Sequence, residues 1–276
     1  MNNKMKFEDG VHDISNEAYH SSYGLSRSQV MLLDKSPYHF WYHTVAGLAT
    51  PYEDTDSKVL GHALHVMILE PELFAKEHAV MPKINRRTTK GKEEYALFIQ
   101  ENPDKIVLTQ EQYNKMYAMT HHMRQHKIVH TLLENAQFEK SIFWTDKETG
   151  LQFKARPDIW SNKMIVDLKT TKDINPGLYK NSAYRYGYYL QCGMFFEACE
   201  AIGKPIDMFA HLAIEKEEPY VPAVFIMDEK AIEFGREQFN VYKRRIRECM
   251  ETDNWPGYAV QEISIPGYAK INDEEE

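Results

Sequence analysis

Asp158, Asp167 and Lys169 are the residues of this chain whose types and spacing best fit chemistry. They fall in Arg156-Pro157-Asp158-Ile159-Trp160-Ser161-Asn162-Lys163-Met164-Ile165-Val166-Asp167-Leu168-Lys169, which reads as two strands joined at Ser161-Asn162. Such a pair sets Asp158 near Asp167 at one end of a sheet. Strand alternation then puts Asp167 and Lys169 on one face and sends Leu168 into the core. Converging carboxylates are costly unless a hard divalent cation bridges them. Magnesium held there would acidify water and polarise a phosphate, and two ions would hold attacking and leaving oxygens in line, which is the chemistry of phosphodiester hydrolysis. Lys169, a compact point charge, would orient the water or offset charge growing on the phosphorane. A D-x-K triplet alone is more often a solvated surface hairpin, so its surroundings decide.

The elements that must position the trio follow from periodicity. Ser26 caps a helix carrying Val30, Met31 and Leu33, and Ser36-Pro37 restarts one with Phe40 and Trp41. Val59–Leu69 is a helix with a broad apolar face, and 91–101 and 109–135 are helical. Strands are expected at 141–145, 151–159 and 163–168, with a turn from Asp146 to Gly150. One long helix is expected over 179–201, a hairpin over 209–214 and 221–227, and a closing amphipathic helix over 228–251. The pattern predicts an α/β fold, a mixed sheet flanked by helices behind a helical N-terminal part. The expected organisation is a single domain over 1–276: a helical part about 10–135, a catalytic core about 136–260, and a solvated acidic tail at 270–276.

Three further features bear on the site. Gly61-His62-Ala63-Leu64-His65 lies on the apolar helix. There a glycine would let another segment approach, and the His65 imidazole is either a packed core residue or part of a metal site. His62 ranks below it. Tyr184, Tyr188, Gln191 and Phe195 form a stripe on the expected long helix, and the Gln191 amide must find partners within it. Glu139, just before the first strand, is a candidate outer carboxylate or a solvated edge residue.

Composition limits the function classes. The net charge of −8 argues against a protein that simply coats nucleic acid, although an enzyme can concentrate positive charge in one cleft. Lys83, Arg86, Arg87, Lys90 and Lys92 fall in a stretch without acids and are the candidate phosphate contacts, a mobile loop being the alternative. Lys243-Arg244-Arg245-x-Arg247 reads as a solvated helix face. No apolar run approaches the ~20 residues that span a bilayer, and the N-terminus lacks a signal-peptide layout, so no membrane partner and a cytoplasmic location are expected. Cys192, Cys199 and Cys249 have no disulfide or zinc spacing and read as core residues.

Pro157-Asp158, eight residues, then Asp167-Leu168-Lys169 resembles the PD-(D/E)XK nuclease signature. With Gly61…His65, Tyr188-x-x-Gln191 and Ser26-x-Ser28…Ser36-Pro37-Tyr38-His39-Phe40, the chain is similar to the RecB-like branch. More narrowly, Leu69-Glu70-Pro71-Glu72-Leu73-Phe74, Phe143-Trp144-Thr145-Asp146, Ala155-Arg156-Pro157-Asp158 and Trp255-Pro256-Gly257-Tyr258 resemble the exonuclease VIII (RecE) nuclease domains. The resemblance implies a PD-(D/E)XK restriction-endonuclease-like core. It also implies a Mg²⁺-dependent exonuclease, with Mn²⁺ able to substitute, that digests the 5′-ended strand of double-stranded DNA ends and leaves 3′ tails. A ring-shaped homo-oligomer, such as a tetramer, and a RecT-type single-strand annealing partner are implied too, in phage or prophage recombination within a bacterial host. Asp158, Asp167 and Lys169 would be the catalytic core, with Tyr188 and Gln191 in support. His65, Asp158, Asp167 and the Leu168 backbone carbonyl would hold metal. The chain departs from many relatives in having Asp167 rather than Glu and Phe195 rather than Tyr, and its cysteines lack the four-ligand set of iron–sulfur relatives, so no cluster is expected.

Overall fold

The structure is a computed structural model describing residues 4–49 and 56–266; the acidic tail lies outside the described residues. The N-terminal part is helical but includes strands that periodicity did not reveal. Strand β1 (Gly10–His12) precedes helices α1 (Asn16–Ser21) and α2 (Arg27–Val30). Ser26 and Gln29 close a capping box on α2, and Ser36 caps α3 (Pro37–Phe40) with Pro37 in its first turn. Helix α4 (Asp56–Leu69) and α5 (Pro71–Glu77) lead to β2 (His78–Met81). After α6 (Thr89–Glu101) comes β3 (Ile106–Thr109), which pairs with β2 in parallel. The stretch 109–135, expected as one helix, is two: α7 (Gln110–Gln125) and α8 (Lys127–Leu133), separated at His126, whose backbone is extended.

The strands follow. β4 (Gln137–Phe138), β5 (Ser141–Thr145), β6 (Gln152–Ala155), β7 (Ile159–Ser161) and β8 (Met164–Thr171) precede helices α9 (Pro176–Arg185) and α10 (Tyr188–Ala201). β9 (Met208–Glu215), β10 (Pro222–Ile226) and α11 (Glu229–Thr252) complete the order. A five-stranded sheet runs β10-β9-β8-β7-β4, with β8 and β9 parallel and the other neighbours antiparallel. A three-stranded sheet runs β1-β5-β6. The mixed sheet expected from sequence is present. The strand expected over 151–159, however, is two strands in different sheets, parted at Arg156-Pro157-Asp158, where Pro157 cannot donate to a ladder.

Each face of the larger sheet covers its own core. Ile165 and Phe209 pack with α10 and α11, while Val166, Leu168, Ala210 and Leu212 pack with α4 and α7. Helices α10 and α11 approach so closely that a Cβ at Gly235 would lie 1.9 Å from the Tyr189 carbonyl oxygen. Cys192, Cys199 and Cys249 are free and buried, as their apolar spacing predicts.

Two expectations fail here. The helix predicted over 179–201 breaks at Gly187, which is left-handed at φ +65°. Tyr184 therefore belongs to α9 and is 67% exposed, so the continuous stripe through Phe195 does not exist. Lys243 is not on a solvated face. It is buried and donates to Asp146 (2.8 Å) and Glu197 (2.6 Å), tying α11 to the β5–β6 turn and to α10.

Candidate active site

Antiparallel register pairs Ile159 with Val166, so Asp158 arrives beside Asp167 at the sheet end. Asp158 Oδ2 accepts the Leu168 N–H at 2.5 Å, which fixes one carboxylate onto the neighbouring strand. Leu168 itself is in the core, and Asp167 and Lys169 project together from the opposite face, as alternation requires. Lys169 Nζ forms an ion pair with Asp167 Oδ2, and Gln191 Nε2 donates to Asp167 Oδ1 at 2.6 Å. Gln191 sits on α10 one turn after Tyr188, whose ring centroid lies 4.8 Å from Lys169 Nζ.

His65 comes in from α4, with Nδ1 at 3.6 Å from Asp158 Oδ2. Glu139 reaches the same point from a positive-φ residue (φ +52°) after β4, and its N–H donates to the Asp158 carbonyl at 3.3 Å. His65, Glu139 and Asp158 each offer a donor atom, all within 4.8 Å of one another. They share a cleft of about 690 Å³. Glu139 is thus a member of the cluster rather than a solvated edge residue. Gly61 lines this cleft, but no segment packs against it: a Cβ there would meet none of the described residues within 4 Å. His62 also lines the cleft and pairs with Glu77 at 3.3 Å.

The electrostatics suit a cation. Burial, then the charge of Asp167, hold the Asp158 carboxyl well above its ordinary range, against the opposing Lys169 and the Leu168 amide. Burial and the Asp158 charge push Glu139 up to about 7, against the opposing Arg156. Burial also works against ionised Asp167, but Lys169 above all outweighs it and keeps that carboxyl below its usual range. Burial lowers His65, leaving a neutral imidazole with a lone pair to give. Two mutually repelling carboxyls and a neutral imidazole fit a divalent cation, whose charge would relieve the repulsion. Asp167, by contrast, is engaged by Lys169 and Gln191.

Two residues given no role in the sequence reading complete the site. Arg156 donates through Nε to Glu139 (2.7 Å) and through Nη1 to the Ile14 carbonyl and Ser141 Oγ (2.9 Å each), aiming Glu139 at the cluster. Its place in the Ala155-Arg156-Pro157-Asp158 motif, two residues before Asp158, was the signal that could have flagged it. His211, in register with Asp167 on β9, is fully buried, with Nδ1 3.0 Å from Tyr179 Oη and its ring against Tyr188. Burial and Lys169 push it down to about 3, so it is neutral.

The basic stretch lies apart from the cleft, since none of its five cations lines it. It is also a built turn rather than a loose loop. Thr88 caps α6 by accepting the Gly91 N–H at 3.0 Å, and the Arg86 guanidinium lies 4.7 Å from the Tyr95 ring centroid.

The model of a family described as a PDDEXK-like domain of unknown function (DUF3799) matches residues 26–263. A provisionally named exonuclease from Eubacterium rectale has a similar structure, with a TM-score of 0.62, 12% identity, and coverage of 92% of this chain and 97% of that one. A phage-related exonuclease from Haemophilus somnus 129PT aligns with a TM-score of 0.35 and 13% identity over 84% of this chain and 98% of that one. No curated protein matches the chain significantly.

Proposed function

We propose that this chain, which belongs to the PDDEXK-like DUF3799 family, is a metal-dependent nuclease that degrades linear double-stranded DNA from its ends. The observation that carries the reading is the convergence of His65, Glu139 and Asp158 beside the Asp167–Lys169 pair at adjacent strand ends.

His65, Glu139 and Asp158 would hold the cation, with Asp167 and the Leu168 carbonyl next to them. Mg²⁺ is the expected ion, because oxygen donors predominate, and Mn²⁺ would replace it. When bound, the ion supplies Lewis acidity toward a phosphate and acidifies water. The chain's own contributions are positional and electrostatic. The Leu168 N–H and Arg156 fix the two carboxylates of the cluster. Gln191 fixes Asp167, and the Tyr188 ring supports Lys169. The Lys169 ammonium meets the charge that grows on a phosphodiester under attack. Lys169 is therefore the catalytic residue, and Gln191, Tyr188 and Arg156 are positioning residues.

The finer reading follows the resemblance to the RecE nuclease domains: 5′-to-3′ digestion that leaves 3′ tails, a ring-shaped homo-oligomer, and a RecT-type annealing partner in DNA recombination. Incubation with linear duplex, closed-circular duplex and single-stranded DNA in Mg²⁺ or Mn²⁺ tests it. Loss of linear duplex alone is expected. Nicking of circles or preference for single strands would replace the end-specific reading with a structure-specific one. No cleavage under any condition would leave a non-catalytic recombination scaffold.

A further inference from the structure

A second cleft, of about 700 Å³, opens beyond Lys169 along β8, and shares no lining residue with the first. Contacts lead from one to the other. Asp158, on the first cleft, is held by Leu168; Asp167 pairs with Lys169; and Lys169 stands over Tyr188, which lines the second. The two clefts differ in charge. The first is lined by the carboxylates Asp13, Glu70, Glu77, Glu139 and Asp158 against Lys140 and Arg156. The charged residues lining the second are Lys172, Lys216 and Asp173, and Asp173 Oδ1 is occupied by the Asn175 N–H at 2.6 Å. Lys172 is exposed and has no ion-pair partner among the described residues.

The break between α9 and α10 shapes this second cleft. Met31 closes over Gly187, so close that a Cβ there would lie 2.6 Å from its Sδ. The chain turns at this point, leaving Tyr188 under Lys169 and Tyr186 facing outward, its ring centroid 6.0 Å from that of Tyr188. Tyr186 is 52% exposed and Leu178 54% exposed, and both line the cleft. Apolar faces left open in a cation-flanked cleft cost free energy unless something covers them.

We infer that the second cleft binds a single-stranded segment of DNA, with a base stacked on Tyr186 against Leu178 and a backbone phosphate near Lys172. The inference deepens the nuclease reading by giving the strand that leads to Lys169 a place to lie. Within a duplex the base faces are buried in the stack, so a nucleotide lying along the cleft, away from a terminal base pair, must be unpaired to present a face to Tyr186. The volume falls in the range of small-ligand and nucleotide pockets.

The test uses the full chain in EDTA, so that no hydrolysis interferes, and a short fluorescent oligodeoxythymidine with one 5-iodouracil. Photocrosslinking followed by peptide mapping should place the adduct at Tyr186. Tyr186→Ala should weaken binding roughly 5- to 150-fold, the effect of losing one base–aromatic stack, whereas Tyr186→Phe should bind like the original. Lys172→Ala should lower the slope of log affinity against log salt by about 0.7, the value for one single-strand phosphate contact. Thermal melting confirms that the variants fold. An adduct elsewhere, or unchanged binding by Tyr186→Ala, overturns the inference. A parallel cleavage assay of the unmodified chain in Mg²⁺ or Mn²⁺ separates the two readings. Cleavage with an indifferent Tyr186→Ala sinks the cleft and keeps the nuclease. No cleavage with a Tyr186 adduct does the reverse.

Discussion

Lys169 and Tyr188 form a cation–π contact, the ammonium lying 4.8 Å from the ring centroid while it also pairs with Asp167. The ring, not the hydroxyl, does the supporting. A contact of this kind contributes about 0.5–2 kcal/mol, so Tyr188→Leu should lower kcat roughly 2- to 30-fold with a smaller change in KM. Tyr188→Phe should stay near the original rate. Equal losses in both variants would assign the work to the hydroxyl instead.

Replacing Lys169 tests the centre directly. Lys169→Ala removes the cation proposed to face the reacting phosphate and should cost at least about 10²–10³-fold in cleavage, as for other preorganised charge-stabilising donors. Binding of duplex ends, followed by fluorescence anisotropy, should hardly move. Turnover retained in this variant would place the active centre elsewhere.

Glu139 should make stability depend on pH in an unusual direction. Its folded carboxyl is raised from 4.5 to about 7, chiefly by burial and the Asp158 charge. The folded protein therefore holds this proton more tightly than the unfolded chain. The associated stabilisation is complete below the unfolded value and is lost as pH rises through the folded one. Asp158 shifts in the same direction. In EDTA the melting temperature should fall between about pH 4.5 and 7, and Mn²⁺ should raise it more above that window than below. Glu139→Gln should flatten the fall and blunt the metal effect. A melting curve that climbs steadily through this window would contradict the assignment.

Gly187 sets the angle between α9 and α10. A side chain there must adopt φ +65° and displace the Met31 thioether. Gly187→Ala should cost about 1–2 kcal/mol from the left-handed backbone alone, read as a lower urea midpoint. An unchanged midpoint would mean that the break relaxes freely.

The last helix offers a contrast between two cations. Lys243→Ala leaves Asp146 and Glu197 without their shared buried partner and should cost about 3–5 kcal/mol. Arg247→Ala removes only an exposed pair with Glu251 and should stay within about 1 kcal/mol. Urea denaturation of both variants decides, and equal costs would refute the distinction.

What could be read from sequence was what short-range geometry controls. The approach of Asp158 to Asp167, and the facing of Asp167 and Lys169, follow from a tight turn and period-2 alternation. The caps at Ser26 and Ser36 were equally local. Sheet membership was not. Gln152–Ala155 and Ile159–Ser161 carry similar strand patterns, yet one pairs with β5 and the other with β8. Glu139 owes its place to a positive-φ backbone and to Arg156, neither of which leaves a periodic trace. Gly187 was the one visible hint that 179–201 would not run straight, and the surrounding apolar pattern concealed it. His211 looks like any residue of a buried strand until β9 is laid beside β8.

The donors of the cleft are scattered along the chain: His65 on a helix in the N-terminal half, Glu139 after β4, and Asp158 anchored by an amide on β8. Such long-range pairings close late, because their loop entropy must be met before they contribute. During synthesis, a polypeptide that stops short of β8 has His65, Glu139 and Asp158 but nothing to clamp the last of them. Assembly of the three donors is thus tied to the arrival of β8, so a chain cut before that strand lacks the Leu168 amide that holds Asp158 in place.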